Sequence, residues 1–226
     1  MGVFETLSSE QQSLIQKHLE LVIDVNQRVN LTRIDSLEEG MILHVEDSLA
    51  GLEELNEAPE GPLGDLGSGA GFPGIPLAIA SGRETTLIDA RKKKMDVVSE
   101  IISELGLSSQ INTYSGRAEL FARTQSKRFV ALTVRALSQL PVLLELASPL
   151  LVKNGVLLCY KANVTDEELA DAQRVQKMVG MKLVKDRAFI LDNEYQRRIL
   201  TFKKVAEATV KLPRQEGMAQ KHPLSE

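Results

Sequence analysis

The sequence has one cysteine, no tryptophan and three histidines, with only six Phe and three Tyr among its 226 residues. The lone Cys159 cannot form an internal disulfide and fits a reducing compartment. With only His18, His44 and His222 for company it cannot build a Cys/His metal cluster, so no metal is expected. It stands in an apolar run, where a buried and inert thiol is the natural reading. Long apolar runs are also missing. The stretch 146–152 is too short to span a bilayer, and residues 1–12 lack a basic segment followed by an apolar one. These absences predict a soluble, cytoplasmic chain without a membrane partner.

What is present suits one ordinary α/β unit with a modest appendage: 43% hydrophobic residues can fill a core, and 26% charged residues do not favour disorder. The net charge of −4 alone argues against a nucleic-acid binder, but the charge is unevenly spread. Residues 1–60 carry 13 acids and 3 bases, 61–173 carry 12 of each, and 174–226 carry 12 bases and 6 acids. This asymmetry leaves two readings open, a local basic face for an RNA partner or an unevenly charged solvated surface.

The periodicity divides the chain into an N-terminal helical extension (1–60), a core (61–204) and a basic C-terminal tail (205–226). Apolar residues at helical spacing predict a helix over 9–29, capped by Ser8 or Ser9. A second helix is expected from Ser36 through His44. Beyond Pro62, strands are expected at 63–66, 85–88, 111–114, 129–134, 156–160, 181–190 and 197–202. Helices are expected near 75–80, 92–105, 118–122, 140–149 and 166–179, the last opened by a Thr165/Glu168 capping box. This alternation predicts a doubly wound, mostly parallel seven-stranded sheet. The last two strands follow each other without a helix, so a hairpin closes it, with one strand antiparallel at the edge or inserted beside it.

The most informative segment is Asp65-Leu66-Gly67-Ser68-Gly69-Ala70-Gly71-Phe72-Pro73-Gly74, between the first strand and the first core helix. Alternating glycines permit a sharp turn and close approach of a ligand to the backbone. Asp89, at the end of the second strand, is placed to accept hydrogen bonds from ribose hydroxyls. A nicotinamide dinucleotide is the obvious competitor. However, Asp65 stands where its charge would repel a pyrophosphate. S-adenosylmethionine carries an ammonium and a sulfonium and no phosphate, so it is the expected cofactor.

At this point the sequence resembles the ribosomal RNA small subunit methyltransferase G family. The segment 65–80 carries the resemblance most specifically. It continues in Asn30-Leu31-Thr32, His44-x-x-Asp47-Ser48-Leu49, Gly116-Arg117-Ala118-Glu119, Arg135-Ala136, Lys161, and Pro213-Arg214 through Lys221-x-Pro223-Leu224. Val134, Ala162 and Leu212 depart from the commoner pattern. The resemblance implies a Rossmann-like class I fold and formation of 7-methylguanosine at guanine 527 in the 530 loop of bacterial 16S rRNA. It further implies that Gly67 and Phe72 line the cofactor, that Ala118 and Glu119 meet its adenine side, and that Arg135 borders the methyl donor. Asp65, Gly69, Gly71 and Asp89 complete the expected cofactor set. The alternatives are a methyltransferase acting on another RNA position or a small molecule, and a non-catalytic ribosome-assembly factor.

Guanine N7 has an in-plane lone pair and no proton at neutral pH. Methylating it needs alignment and no general base. No catalytic acid or base is therefore assigned, and Arg135 is the candidate for positioning the substrate. Candidate RNA contacts are Asn30, His44, Lys161, Arg214 and Lys221. Each also has a plainer reading: a helix C-cap for Asn30, a hydrogen bond to Asp47 for His44, and simple solvation for Lys161, Arg214 and Lys221. The run Arg91-Lys92-Lys93-Lys94 opposes a helix dipole, which suits either an RNA contact or a solvated face. The substrate is expected to be 16S rRNA or the small ribosomal subunit, and the enzyme a monomer.

Overall fold

In the computed structural model, which describes residues 2–225, the seven expected strands form one sheet. They are β1 (Leu63–Leu66), β2 (Thr85–Asp89), β3 (Ile111–Ser115), β4 (Phe129–Arg135), β5 (Leu151–Lys161), β6 (Met181–Leu191) and β7 (Tyr195–Lys204). Their order is β3-β2-β1-β4-β5-β7-β6. The first five pair in parallel, and β7 inserts antiparallel between β5 and β6. The direction of winding reverses between β1 and β4. At such a switch point a crevice opens beyond the carboxyl ends of the strands.

The N-terminal helices are α1 (Ser9–Asn26), α2 (Leu37–Gly40), a π-helical stretch (Met41–Glu46), α3 (Asp47–Leu49) and α4 (Leu52–Glu57). Around the sheet lie α5 (Gly74–Ser81), α6 (Lys92–Glu104), α7 (Ala118–Thr124), α8 (Leu140–Ala147) and α9 (Asp166–Met178), and α10 (Met218–Lys221) lies near the C-terminus. Ile15, Leu19 and Val22 of α1 pack with Ile75 and Ala78 of α5 and Val98 of α6. A second core, around Phe129, Leu144 and Phe202, joins the sheet to α8 and α9.

Among the local expectations the Ser8 cap holds and others are corrected. Ser8 caps α1, accepting from the Gln11 amide while the Gln11 side chain accepts from the Ser8 amide. The helix stops at Asn26, so the exposed Asn30 is not its C-cap. Asn26 turns the chain instead, its Oδ1 accepting from the amides of Leu31 (2.8 Å) and Thr32 (2.9 Å). The helix capped by Ser36 widens into a π-helical stretch that carries His44, a distortion common near functional sites. Only half of the Thr165/Glu168 capping box forms. Thr165 accepts from the Glu168 amide, but the Glu168 carboxylate takes Lys161 Nζ (2.7 Å) and the Leu140 amide (2.8 Å).

The tail is docked. Arg214 forks onto the buried Glu145 at 2.6 and 2.7 Å, and Ala219 is fully buried beside Val142 and Leu146. Much of the charge asymmetry is spent inside the fold. Arg187 forks onto the buried Glu54, Lys185 meets Glu53 and Glu57, and Arg197 meets Asp47. The acidic first segment and the basic last one are thus electrostatic partners of each other.

Candidate active site

Two adjoining cavities occupy the crevice. The larger, about 610 Å³, reaches from the glycine loop to Arg135, Lys161 and Arg197. The smaller, about 270 Å³, lies beside Asp89, Ala118 and Glu119. Gly67, Gly69 and Ala136 line both.

The glycine loop has the form its residues predict. Gly67, Gly69 and Gly71 take φ of 71°, 57° and 92°, a region that side chains disfavour. A Cβ on Gly71 would lie 2.5 Å from the Ile75 side chain, so close packing also demands glycine there. Asp89 Oδ2 accepts from the Gly69 amide at 3.1 Å and Oδ1 from the Arg91 amide at 2.8 Å, which tethers the loop to the end of β2.

Asp65 does not face either cavity. Its side chain is buried beneath the loop, with Oδ1 accepting from Thr133 Oγ1 (2.8 Å) and Oδ2 from the Gly74 amide (3.1 Å). Burial pushes its pKa up to about 6. The remaining amides of the first turn of α5 are also used: Ile75 donates to Gly71 O, Leu77 donates to Pro73 O, and Pro76 has none. The helix therefore presents no free first-turn amide to an anion.

Phe72 is gripped by two histidines. His44 stacks on it at 4.4 Å with ring planes 6° apart, and His18 lies 4.4 Å away at 34°. His18 Nε2 is 3.1 Å from Ala70 O, and burial lowers its pKa to about 4. His44 is lowered to about 3, by burial first and then by the Arg135 charge. A guanidinium can only donate, so His44 Nδ1 accepts from Arg135 (3.3 Å) and Nε2 carries the proton toward Thr32 Oγ1 (2.9 Å). Thr32 Oγ1 also accepts from the Ile34 amide. Its own hydroxyl proton is left for an acceptor in the larger cavity, which Thr32 lines.

Arg135 also donates to Leu43 O (3.0 Å) and to Asp47 Oδ2 (2.7 Å). Asp47 Oδ1 accepts from Arg197 Nε at 2.9 Å. His44 and Asp47 are thus joined through Arg135, where a direct bond between them was one expectation. Lys161 is held by Glu168 and Ser138 O at the cavity wall. Lys94 donates to Leu31 O (2.6 Å), so part of the basic run anchors the 31–34 segment. Asn30, Arg214 and Lys221 line neither cavity. Glu119 Oε1 accepts from the Gly217 amide at 2.8 Å, which ties the tail to the wall of the smaller cavity. Burial pushes the Cys159 thiol well up, as suits a core residue.

Sequence reasoning missed His18, Asn26 and Arg197 and gave Thr32 no role of its own. Thr32 stood inside the Asn30-Leu31-Thr32 motif, so a signal was there. Arg197 and His18 matter through contacts 150 and 52 residues away, which no local pattern carries.

The family model described as rRNA small subunit methyltransferase G matches residues 11–200. The ribosomal RNA small subunit methyltransferase G of Lactococcus lactis subsp. cremoris is 36% identical over 222 residues, covering 96% of this chain and 93% of that protein. The Streptococcus pneumoniae protein of that name is 35% identical over 224 residues, with the same coverage. Among solved structures, an O-methyltransferase from Bacillus cereus in complex with SAH has a TM-score of 0.57 at 18% identity, covering 89% of this chain and all of that one. A geranyl diphosphate methyltransferase has a TM-score of 0.56 at 12% identity, with 70% and 76% covered. The fold is that of the class I S-adenosylmethionine-dependent methyltransferases, and the chain belongs to the rRNA small subunit methyltransferase G family.

Proposed function

We propose that this chain methylates N7 of guanine 527 in the 530 loop of 16S rRNA, with S-adenosylmethionine as donor. The observation that carries the N7 reading is that the charged and phenolic side chains facing the larger cavity are already engaged. Both His44 nitrogens are bonded and its pKa is about 3. Asp47 holds two guanidiniums, Lys161 holds Glu168, and the Tyr160 phenol donates to Ser48 O. No side chain among these is free to take a proton from a base nitrogen. Guanine N7 has none to give.

The residues fit the cofactor. The first-turn amides of α5 are spent on Asp65 and on main-chain carbonyls, which disfavours the pyrophosphate of a dinucleotide. Asp89, Ala118 and Glu119 line the smaller cavity, where Asp89 would meet ribose hydroxyls with Ala118 and Glu119 toward the adenine, and Gly67 and Gly69 line both cavities. When bound, S-adenosylmethionine supplies an electrophilic methyl group on a sulfonium. Asp47 offsets one of the two positive charges of Arg135 and Arg197, which limits repulsion of that sulfonium. Arg135 and the Thr32 hydroxyl offer donors for orienting an incoming guanine through its O6. Duplex RNA hides N7 in a deep, narrow groove, so a looped strand is the fitting substrate. The test is to map 7-methylguanosine in small-subunit RNA before and after incubation with protein and cofactor. A mark at 527 supports the reading, and methylation at another atom or position overturns it.

A further inference from the structure

We propose that the groove between the β5–α9 connection and the β6–β7 hairpin seats a nucleotide flanking the methylated guanine. The proposal rests on the RNA reading above and extends it beyond the target base. A cavity of about 690 Å³ lies there. It shares Ala162, Asn163, Phe189, Arg197 and Arg198 with the larger cavity of the active site, so the two adjoin.

An RNA strand that offers one base to the active site continues on both sides of it, and the neighbouring nucleotides need room beside the target. In the reading above, the smaller cavity on the Asp89 side would take the nucleoside half of the cofactor. Among the described residues the 780 Å³ cavity under the N-terminal segment shares Phe189 alone with the active-site cavity, and it meets the hairpin groove at Phe189 and Ile190. The groove along the hairpin is the wide exit that remains.

Its chemistry suits an unpaired nucleotide. Phe189 is half-buried, with the Arg187 guanidinium 4.9 Å from its ring, and Ile190 beside it is 64% exposed. Phe189 and Ile190 alternate to opposite faces of β6, so it is Ile190 with the exposed Ala188 that offers a base an apolar surface, while Asn163 and Gln196 add amide edges. Arg197 and Arg198 also line the groove, but Asp47 and Asp186 already pair with them. Contact with the base therefore outweighs phosphate attraction there.

Val184 provides an internal control. It lies on the same strand, is 50% exposed, and lines a different cavity. Ile190→Glu should raise KM for small-subunit RNA by about tenfold, the loss of one modest stacking contact. Its kcat, cofactor affinity and thermal midpoint should match the parent, and Val184→Glu should match the parent throughout. An equal rise in KM for both variants, or none for Ile190→Glu, overturns the groove. A second measurement uses the burial of Cys159, which leaves an introduced cysteine as the one accessible thiol. A photo-crosslinker on Ile190→Cys should capture nucleotides immediately beside the methylated guanine. Capture of remote nucleotides only, or of none, contradicts the proposal. If the parent protein itself methylates no RNA, the underlying RNA reading fails. If the parent methylates and Ile190→Glu is unaffected, the groove alone fails.

Discussion

The ring of His44 lies flat on that of Phe72, 4.4 Å away with the planes 6° apart. Phe72 belongs to the glycine loop, and His44 is bonded to Thr32 on one side and Arg135 on the other. One neutral imidazole therefore joins the loop expected to hold the cofactor to the groups that face the substrate.

This junction makes stability depend on pH. His18 and His44 have pKa values of about 4 and about 3, against 6.5 when unfolded. Between those limits the unfolded chain binds more protons, so stability is full above pH 6.5 and falls as pH drops. By pH 5 each histidine should cost about 2 kcal/mol. Asp65, raised to about 6, acts in the opposite sense, and so does Glu46, but two histidines outweigh them. The thermal midpoint should drop by about 5–10 °C from pH 7 to pH 5. His44→Gln should flatten that slope, and a slope unchanged by the substitution would remove His44 from the linkage.

Asp47 and Arg135 should fail differently. Asp47→Ala leaves two guanidiniums without their shared acid and should cost about 3–5 kcal/mol of stability. Arg135→Ala leaves Asp47 paired with Arg197, so the loss of fold should be smaller and the loss of turnover larger. Arg135→Lys should restore activity only in part, because a point charge lacks the planar fork. Calorimetry and single-turnover methylation on each variant check this. Equal destabilisation by Asp47→Ala and Arg135→Ala would contradict it.

Arg214 should prove to be a tail anchor. Arg214→Ala strands the buried Glu145 carboxylate and should lower the thermal midpoint by several degrees. The log–log slope of RNA affinity against salt should stay at the parent value. A slope reduced by about 0.7–0.9 would instead assign Arg214 to a phosphate.

The sheet was legible because β-branched and aliphatic runs alternate with helical periods, and each strand of the core began within five residues of its expected start. The antiparallel insertion of β7 was left open, because pairing partners are chosen across the sheet and leave no local mark. The glycine loop was legible for a steric reason: Gly71 has no room for a Cβ. Asp65 was read as facing a ligand because its position beside the loop is visible and its orientation is not. The basic C-terminal segment was misleading for a similar reason. Lys185, Arg187 and Arg197 find acids more than a hundred residues away.

Asp89→Ala should weaken cofactor binding by about 1.5–3 kcal/mol if both ribose hydrogen bonds are charge-assisted. The tether to the Gly69 amide goes with it, so the loss should exceed that of Asp89→Asn. Titration calorimetry with S-adenosylmethionine in the presence of a chelator measures both. An affinity equal to the parent would place the ribose elsewhere.

The most direct measurement uses small subunits from cells lacking this enzyme, incubated with purified protein and isotopically labelled S-adenosylmethionine, followed by nucleoside analysis and mapping of the label. The result expected is one labelled 7-methylguanosine per subunit, at guanine 527. Label on an exocyclic amine, on a ribose or at a different guanine would contradict a cavity that works by alignment without a base.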